Sequence, residues 1–146
     1  MSITFDLSVY PFVDLPLTKK TNPFEVAVRS GLNWGQRPEY NRESNQAYIP
    51  VHLDTHQNNP GFFPPRGTRF TILTDDGEEF TCVMAQDNNK AIETCDNNSI
   101  LGIYFRQRLN LPLGFMVTIE DLLEYGRTYV RVYKIQDYLY YMDFRS

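Results

Sequence analysis

The chain has 146 residues and a mass of 17.1 kDa, which is the size of one domain with its own hydrophobic core. Hydrophobic residues make up 42% and charged residues 22%, so a disordered chain, a collagen-like repeat and a long heptad array are excluded. The formal net charge of −4 argues weakly against a nucleic-acid-binding protein, although a local basic face matters more than the total.

The sequence carries no sign of membrane insertion or export. No apolar run reaches the length of a membrane span, and the N-terminus lacks the basic start and apolar core of a signal peptide. Cys82 and Cys95 are expected to stay reduced. We therefore expect a cytoplasmic protein with no membrane partner.

Apolar and polar residues alternate with the period of a β-strand in several stretches. The predicted strands are residues 24–29, 47–51, 69–74, 79–85, 128–135 and 138–144. Asp75-Asp76-Gly77 is a hairpin-turn signal, and Pro50 places its strand at an edge or a strand end.

Two short helices are predicted between these strands. One is capped by Ser99 and runs to Leu109, with apolar residues at helical spacing. The other begins at Thr118, with Asp121 as its capping-box partner, and ends at Gly126. Together the elements predict a mainly β fold, in which an antiparallel or mixed sheet closes into an open barrel.

Two long polar segments, residues 30–46 and 86–98, are typical of functional or disordered loops. In the first, arginine and amide side chains surround Trp34 and suit bidentate bonds to guanine and adenine edges. In the second, Glu93 or Asp96 could accept from a cytosine amino group, and Lys90 suits a phosphate. The alternatives are a solvated loop with Trp34 in the core, and an Asn-rich surface loop that caps the next helix.

The charged residues suggest two faces. Most basic residues precede the C-terminal strands, whereas acidic residues cluster at 75–79. A barrel that separates these groups would have one basic face that suits a polyanion. Ordinary surface charge is the alternative.

Signals for an enzyme are weak. The acidic run 75–79 lacks the spacing of a calcium loop, and no glycine loop suits a phosphate. His52 and His56 are predicted to lie in a loop, and without a third ligand they do not favour zinc. A carbohydrate- or peptide-binding barrel and a metal-dependent enzyme stay open as alternatives.

Several short motifs together resemble one family. They are SGLNWGQ at 30–36 with Arg42, Asn45 and AYIP at 47–50; KAI at 90–92, NSILG at 98–102 and YFRQRL at 104–109; and VTIEDL at 117–122, YGR at 125–127 and YMDF at 141–144. This set is similar to the B3-like DNA-recognition (effector) domains of type II restriction endonucleases of the NgoAVII, EcoRII and UbaLAI types. The resemblance spans residues 24–144, and residues 1–23 would be an N-terminal extension.

The resemblance implies a single domain, a seven-stranded B3-like pseudobarrel with two short helices. Two loops would grip the major groove of double-stranded DNA like a wrench: an N-arm at 30–45 and a C-arm at 86–98. The implied N-arm contacts are Asn33, Trp34, Gln36, Arg37, Arg42 and Asn45. The implied C-arm contacts are Gln86, Asn88, Asn89, Lys90, Glu93, Thr94, Asn97 and Asn98. The expected phosphate contacts are Lys19, Lys20, Arg66 and Arg106.

The resemblance also implies that cleavage belongs to another part of the parent protein. No nuclease motif is found in the sequence, so we expect a sequence-specific DNA-binding domain with no catalytic residue, no metal site and no cofactor. The parent would be a bacterial, cytoplasmic type II restriction endonuclease whose separate nuclease domain uses Mg²⁺. The domain is expected to bind DNA as a monomer.

Overall fold

A computed structural model describes residues 5–146. Its seven strands are β1 (Phe12–Pro16), β2 (Ile49–Pro50), β3 (Phe70–Thr74), β4 (Glu79–Ala85), β5 (Ala91–Thr94), β6 (Tyr129–Gln136) and β7 (Leu139–Asp143). They form one sheet in the order β1-β6-β7-β3-β4-β5-β2, antiparallel throughout except between β3 and β7. The sheet curls until its edge strands β1 and β2 come into contact. This open half-barrel confirms the predicted B3-like pseudobarrel.

The described residues form three helices, α1 (Leu53–Asn58), α2 (Ile100–Arg108) and α3 (Ile119–Tyr125). The predicted capping box starts α3, because Thr118 and Asp121 exchange side-chain to backbone hydrogen bonds. Ser99 precedes α2 as predicted, but its side chain makes no capping bond. Its hydroxyl donates instead to the Glu43 carboxylate, so it ties the helix start to the N-arm.

The core lies inside the curl of the sheet. Alternate residues of β3 and β4 face it, with Ile72 and Met84 almost fully buried. The period-two pattern that predicted these strands is therefore the burial pattern itself. The β3–β4 turn is the predicted hairpin, in which Gly77 adopts the left-handed φ of 90°.

The predicted strand at 24–29 is wrong. Asn22 organises a turn there: its side chain accepts from the Phe24 amide, and its carbonyl accepts from the Glu25 amide. Local side-chain to backbone bonds of this kind compete with strand pairing. Val26 is still buried, so the apolar alternation marked one core contact rather than a strand.

Three elements lie where the sequence predicted none. β1 falls within residues 1–23, the predicted extension, yet it pairs with β6 along its length. β5 interrupts the predicted 86–98 loop, and pairs with both β4 and β2. α1 places His52 at a helix N-cap and His56 inside the helix, where a loop was expected. α1 buries no residue, so it has no apolar stripe to signal a helix.

The 47–51 strand shortens to β2, which lies at the sheet edge as Pro50 indicated. None of the helices in residues 5–146 is both long and apolar enough to cross a membrane.

Candidate nucleic-acid interface

A cleft of about 490 Å³ opens at one end of the half-barrel. The segment that follows β1, residues 17–21, forms one wall, and we call it the first wall. A second wall comes from the β4–β5 connection at residues 86–90, which we call the C-arm tip. Residues 48–53, around β2, lie between the two. The ladder fixes this arrangement, because β2 pairs with β5 and the Val51 amide donates to the Lys90 carbonyl at 2.8 Å.

Three lysines line the cleft, one pair on the first wall and one residue at the C-arm tip. Lys19 Nζ lies 2.8 Å from a Glu25 carboxylate oxygen, and Lys20 Nζ lies 2.6 Å from Asp54. Lys90 is exposed and forms no ion pair among the described residues. The cleft therefore holds ammonium groups from both walls, which suits a polyanion.

The C-arm tip has an unusual backbone. Gln86, Asn88 and Asn89 have φ values of 65°, 59° and 53°, in a region that non-glycine residues seldom occupy. Asparagine tolerates this region better than most residues, which explains the Asn pair at this tip. The Gln86 side chain donates to Glu93 at 2.9 Å and ties the base of the tip to β5.

The amide side chains predicted for the N-arm are used inside the protein. Asn33 is fully buried and bonds to the Ala27 carbonyl and to both backbone groups of Val117. Gln36 donates to the Ser44 and Gly114 carbonyls. The Asn45 side chain accepts from the Gly114 amide and donates to Glu43. The prediction that Asn33 contacts DNA is therefore wrong, because burial leaves no atom of it exposed.

The other predicted N-arm residues stay partly exposed. Arg42 stacks on Trp34, with its guanidinium carbon 4.2 Å from the ring centroid. The edge of Trp34 meets Tyr48, which lines the cleft. Trp34 thus holds the loop rather than entering the deep core, while Arg37 Nε donates to the Arg29 carbonyl. The stack restrains the guanidinium of Arg42, which lowers the entropy that a base contact would cost.

The predicted C-arm residues divide between the two ends of β5. Asn88 and Lys90 line the cleft, and Asn89 and Gln86 belong to the same tip. Thr94 is buried, and its hydroxyl donates to the Asn97 carbonyl. That end of β5 is three residues, or about 10 Å, from the tip. Asn97 and Asn98 lie beyond Thr94, where Asn97 accepts from the Ser99 amide and the Asn98 carbonyl accepts from Ala47.

The four predicted phosphate contacts differ in their exposure and in their position relative to the cleft. Lys19 and Lys20 line the cleft. Arg66 is exposed on the turn whose Gly67 amide donates to Met84, near the β4 end that leads into the C-arm tip. Arg106 is fully buried and donates to the carbonyls of Leu32, Gly102 and Phe115. Its guanidinium is a structural cross-link, so the prediction of a phosphate contact there is wrong.

The acidic turn at 75–79 lies at the opposite end of β4 from the C-arm tip. A seven-residue strand separates them by about 20 Å. The Asp75 carboxylate is bound by Arg108 at 2.9 Å and by the Phe144 amide, so its oxygens are already occupied. No group of three or more possible metal-ligating residues occurs within residues 5–146.

Sequence reasoning picked out Lys19 and Lys20 but not the rest of the first wall, nor His52, Leu53 and Asp87, which also line the cleft. The sequence did contain a strand signal there: Val13, Leu15 and Leu17 are apolar at every second position, and all three are buried. Recognition of β1 from that pattern would have placed residues 17–21 in the connection between β1 and β2. The connection is long, and the sequence motifs drew attention only to its second half.

One of three comparisons with known proteins identifies a family. The family model of the NgoFVII C-terminal B3-like DNA-binding domain matches residues 10–136. No curated protein matches the chain. The solved structure of a hypothetical Arabidopsis thaliana protein is similar at 16% identity and a TM-score of 0.37, over 67% of this chain and 76% of that one. So weak a likeness carries no argument about fold or function.

The family match covers most of the chain and confirms its resemblance to the DNA-recognition domains of restriction enzymes. A C-terminal DNA-binding domain is also consistent with a chain that is not itself catalytic. This chain belongs to the family of NgoFVII C-terminal B3-like DNA-binding domains.

Proposed function

We propose that this DNA-binding domain holds duplex DNA in its cleft and reads a specific short sequence in the major groove. The first wall and the N-arm would contact one side of the groove, and the C-arm tip the other. The observation that carries the proposal is that Lys19, Lys20 and Lys90 all line one cleft. We further propose that the domain acts as a monomer and is the recognition part of a restriction endonuclease.

The roles of the side chains follow from their exposure. Lys19, Lys20, Lys90 and Arg66 would contact phosphates, which position the duplex without reading its sequence. Arg37, Arg42, Gln86, Asn88 and Asn89 are partly or fully exposed and carry the donors that read base edges. The remaining exposed C-arm candidates, Glu93, Asn97 and Asn98, lie further from the tip. In this proposal the domain needs no cofactor, and Mg²⁺ would act in a separate nuclease domain.

Two substitutions test the division between positioning and reading. Lys90→Ala should weaken binding to all duplexes alike and reduce the slope of log K against log salt by about 1, because one phosphate contact is lost. Arg42→Ala should instead cost roughly 1–3 kcal/mol on the preferred site and relax the preference at one base pair. Affinities measured by fluorescence anisotropy, on preferred and random duplexes at several salt concentrations, separate the two effects.

Lys134→Ala is the matched control, because Lys134 donates to the Gly61 carbonyl and does not line the cleft. It should leave both affinity and salt slope unchanged. If Lys90→Ala and Lys134→Ala behave alike, the cleft is not the DNA site. Equal loss on preferred and random DNA from Arg42→Ala would refute base reading by that residue.

A further inference from the structure

α1 connects the two walls of the cleft, and the DNA-binding proposal does not use it. The helix starts directly after the central residues of the cleft, and both its N-cap residue His52 and its first residue Leu53 line the cleft. It buries none of its own residues, so the hydrophobic core does not explain its position. Its polar side chains reach both walls.

The N-terminal end of α1 is attached to the first wall. His52 Nε2 lies 3.2 Å from the Thr18 carbonyl oxygen. A carbonyl only accepts, so this nitrogen carries the proton and donates. Asp54 adds the exposed ion pair with Lys20 described above, which contributes little by itself. The neutral and the protonated imidazole can both donate from Nε2.

The last turn of α1 is attached to the C-arm tip. His56 Nε2 donates to the Asn89 carbonyl at 2.8 Å. The edge of the His56 ring also packs against Phe63, with the ring centroids 6.2 Å apart. Phe63 belongs to the aromatic core beside Phe70 and Tyr140. The imidazole therefore connects an exposed loop to the rigid part of the protein.

The C-arm tip needs such an attachment. Three of its residues have positive φ, and residues in such regions keep that conformation only where their surroundings hold them. Within the tip, backbone bonds from Asn89 to Gln86 and from Lys90 to Asp87 close its turns. The bond from His56 is the one hydrogen bond that joins the tip's backbone to a side chain of another element in the described part of the chain.

We propose that α1 is a bracket that sets the relative position of the two cleft walls, and that His52 and His56 are positioning residues for DNA binding. The use of this bracket in DNA binding rests on the function proposed above. His56 would hold Asn88, Asn89 and Lys90 in the conformation that meets DNA. His52 would hold Lys19 and Lys20 in the conformation that meets DNA. Neither histidine is required to contact DNA.

Hydrogen exchange on the free protein tests the bracket without DNA. His56→Leu removes the donor and should speed exchange of the Asn89 and Lys90 amides about 3- to 10-fold, the effect of one lost hydrogen bond. Exchange of the Lys19 amide should not change; this amide lies on the first wall and donates to the Glu25 carbonyl. His52→Leu should instead speed exchange of the Lys19 amide and leave the Asn89 and Lys90 amides unchanged.

His56→Gln is the conservative variant, because its amide nitrogen can replace Nε2 as the donor. It should restore slow exchange at the tip. Gln57→Leu is the matched control: it makes the same kind of change on the exposed surface of α1 and should alter neither wall. Unchanged exchange at Asn89 and Lys90 in His56→Leu would overturn the bracket. If His56→Leu unfolds, His52→Leu provides the test instead. Equal changes in amide exchange on both walls of that variant would refute the proposal.

DNA binding then tests the positioning role. His56→Leu should weaken binding to the preferred duplex about tenfold and reduce the salt slope, because Lys90 no longer meets its phosphate in a fixed geometry. His56→Gln should recover most of both. Loss of affinity with an unchanged salt slope, or no rescue by glutamine, would refute the positioning role. If the wild-type domain binds no DNA while the exchange pattern holds, the proposed function fails and the bracket stands.

Discussion

Glu25 and Asp54 place negative charge beside two of the three cleft lysines. The side-chain hydrogen bond from Lys20 lowers the pKa of Asp54, and Lys19 lowers that of Glu25 in the same way. Both carboxylates are therefore ionised at neutral pH. In the proposed mode of binding, a phosphate at either lysine would compete with the carboxylate partner, so these pairs should lower non-specific affinity.

Glu25→Gln should strengthen binding to any duplex by no more than about fivefold at low salt, because an exposed ion pair is weak and its loss frees Lys19. The gain in affinity should shrink as salt increases, since salt screens both the Lys19–Glu25 ion pair and the contact between Lys19 and a phosphate. Glu124→Gln on α3 is the control with the same change in net charge, and it should have no effect. Equal gains in the two variants would show a general charge effect instead.

At the scale of elements, Asn33 joins the short turn at Gly31–Asn33 to the segment before α3. Asn33→Ala should destabilise the fold by about 3 kcal/mol, because it leaves the Val117 amide, the Val117 carbonyl and the Ala27 carbonyl without a partner in the interior. Urea denaturation measures this change. Asn58→Ala, at the exposed end of α1, should cost much less. A small loss at Asn33 would mean that water or a backbone shift replaces its bonds.

Glu43 joins the N-arm to the start of α2. Burial raises the pKa of Glu43, but hydrogen bonds from Ser99 and Asn45 outweigh it, and the pKa in the folded protein lies below the ordinary 4.5. The unfolded chain then binds more protons in the intervening pH range, so stability rises with pH there. The contribution is fully present above about pH 4.5 and is lost as the pH falls through the folded value.

Glu43→Gln should therefore reduce the free energy of unfolding at pH 7 and flatten its decrease between pH 5 and pH 3, a window set by the ordinary carboxyl pKa values. Denaturant midpoints measured at each pH check this. Glu124→Gln should keep the wild-type profile. A Glu43→Gln variant with the wild-type slope would show that Glu43 is not held in its charged form.

The elements that the sequence predicted well are those whose pattern and turn chemistry agree. β4 matched residue for residue because its alternation follows a Gly77 turn, and α3 because its capping box precedes its apolar residues. α1 could not be predicted by that route, since no face of it is buried. Residue type also could not show that Asn33 and Arg106 are internal cross-links, because each has a partner that lies far away along the chain.

For the molecule as a whole, net charge concealed the distribution of charge. The acidic turn and the cleft lie at opposite ends of β4, so a chain with a net charge of −4 still has lysines on both walls of one cleft. Arg106, which was predicted to contact a phosphate, is instead an internal cross-link, and Arg108 is the partner of Asp75. Fewer basic residues are therefore free to face a polyanion than the sequence suggested, and three of them line the cleft.

In the proposed function, the cleft reads a specific sequence in duplex DNA. The most direct measurement is a binding selection from randomised duplex DNA at fixed salt, followed by competition with random sequence, using the wild-type domain and Lys90→Ala. We predict one enriched site of about 4–7 base pairs, preferred over random DNA by roughly 10³-fold or more in the wild-type domain. Lys90→Ala should bind the same site more weakly. Binding without an enriched site, or no binding at about 50 mM salt, where phosphate contacts are strong, would refute sequence-specific binding in the cleft.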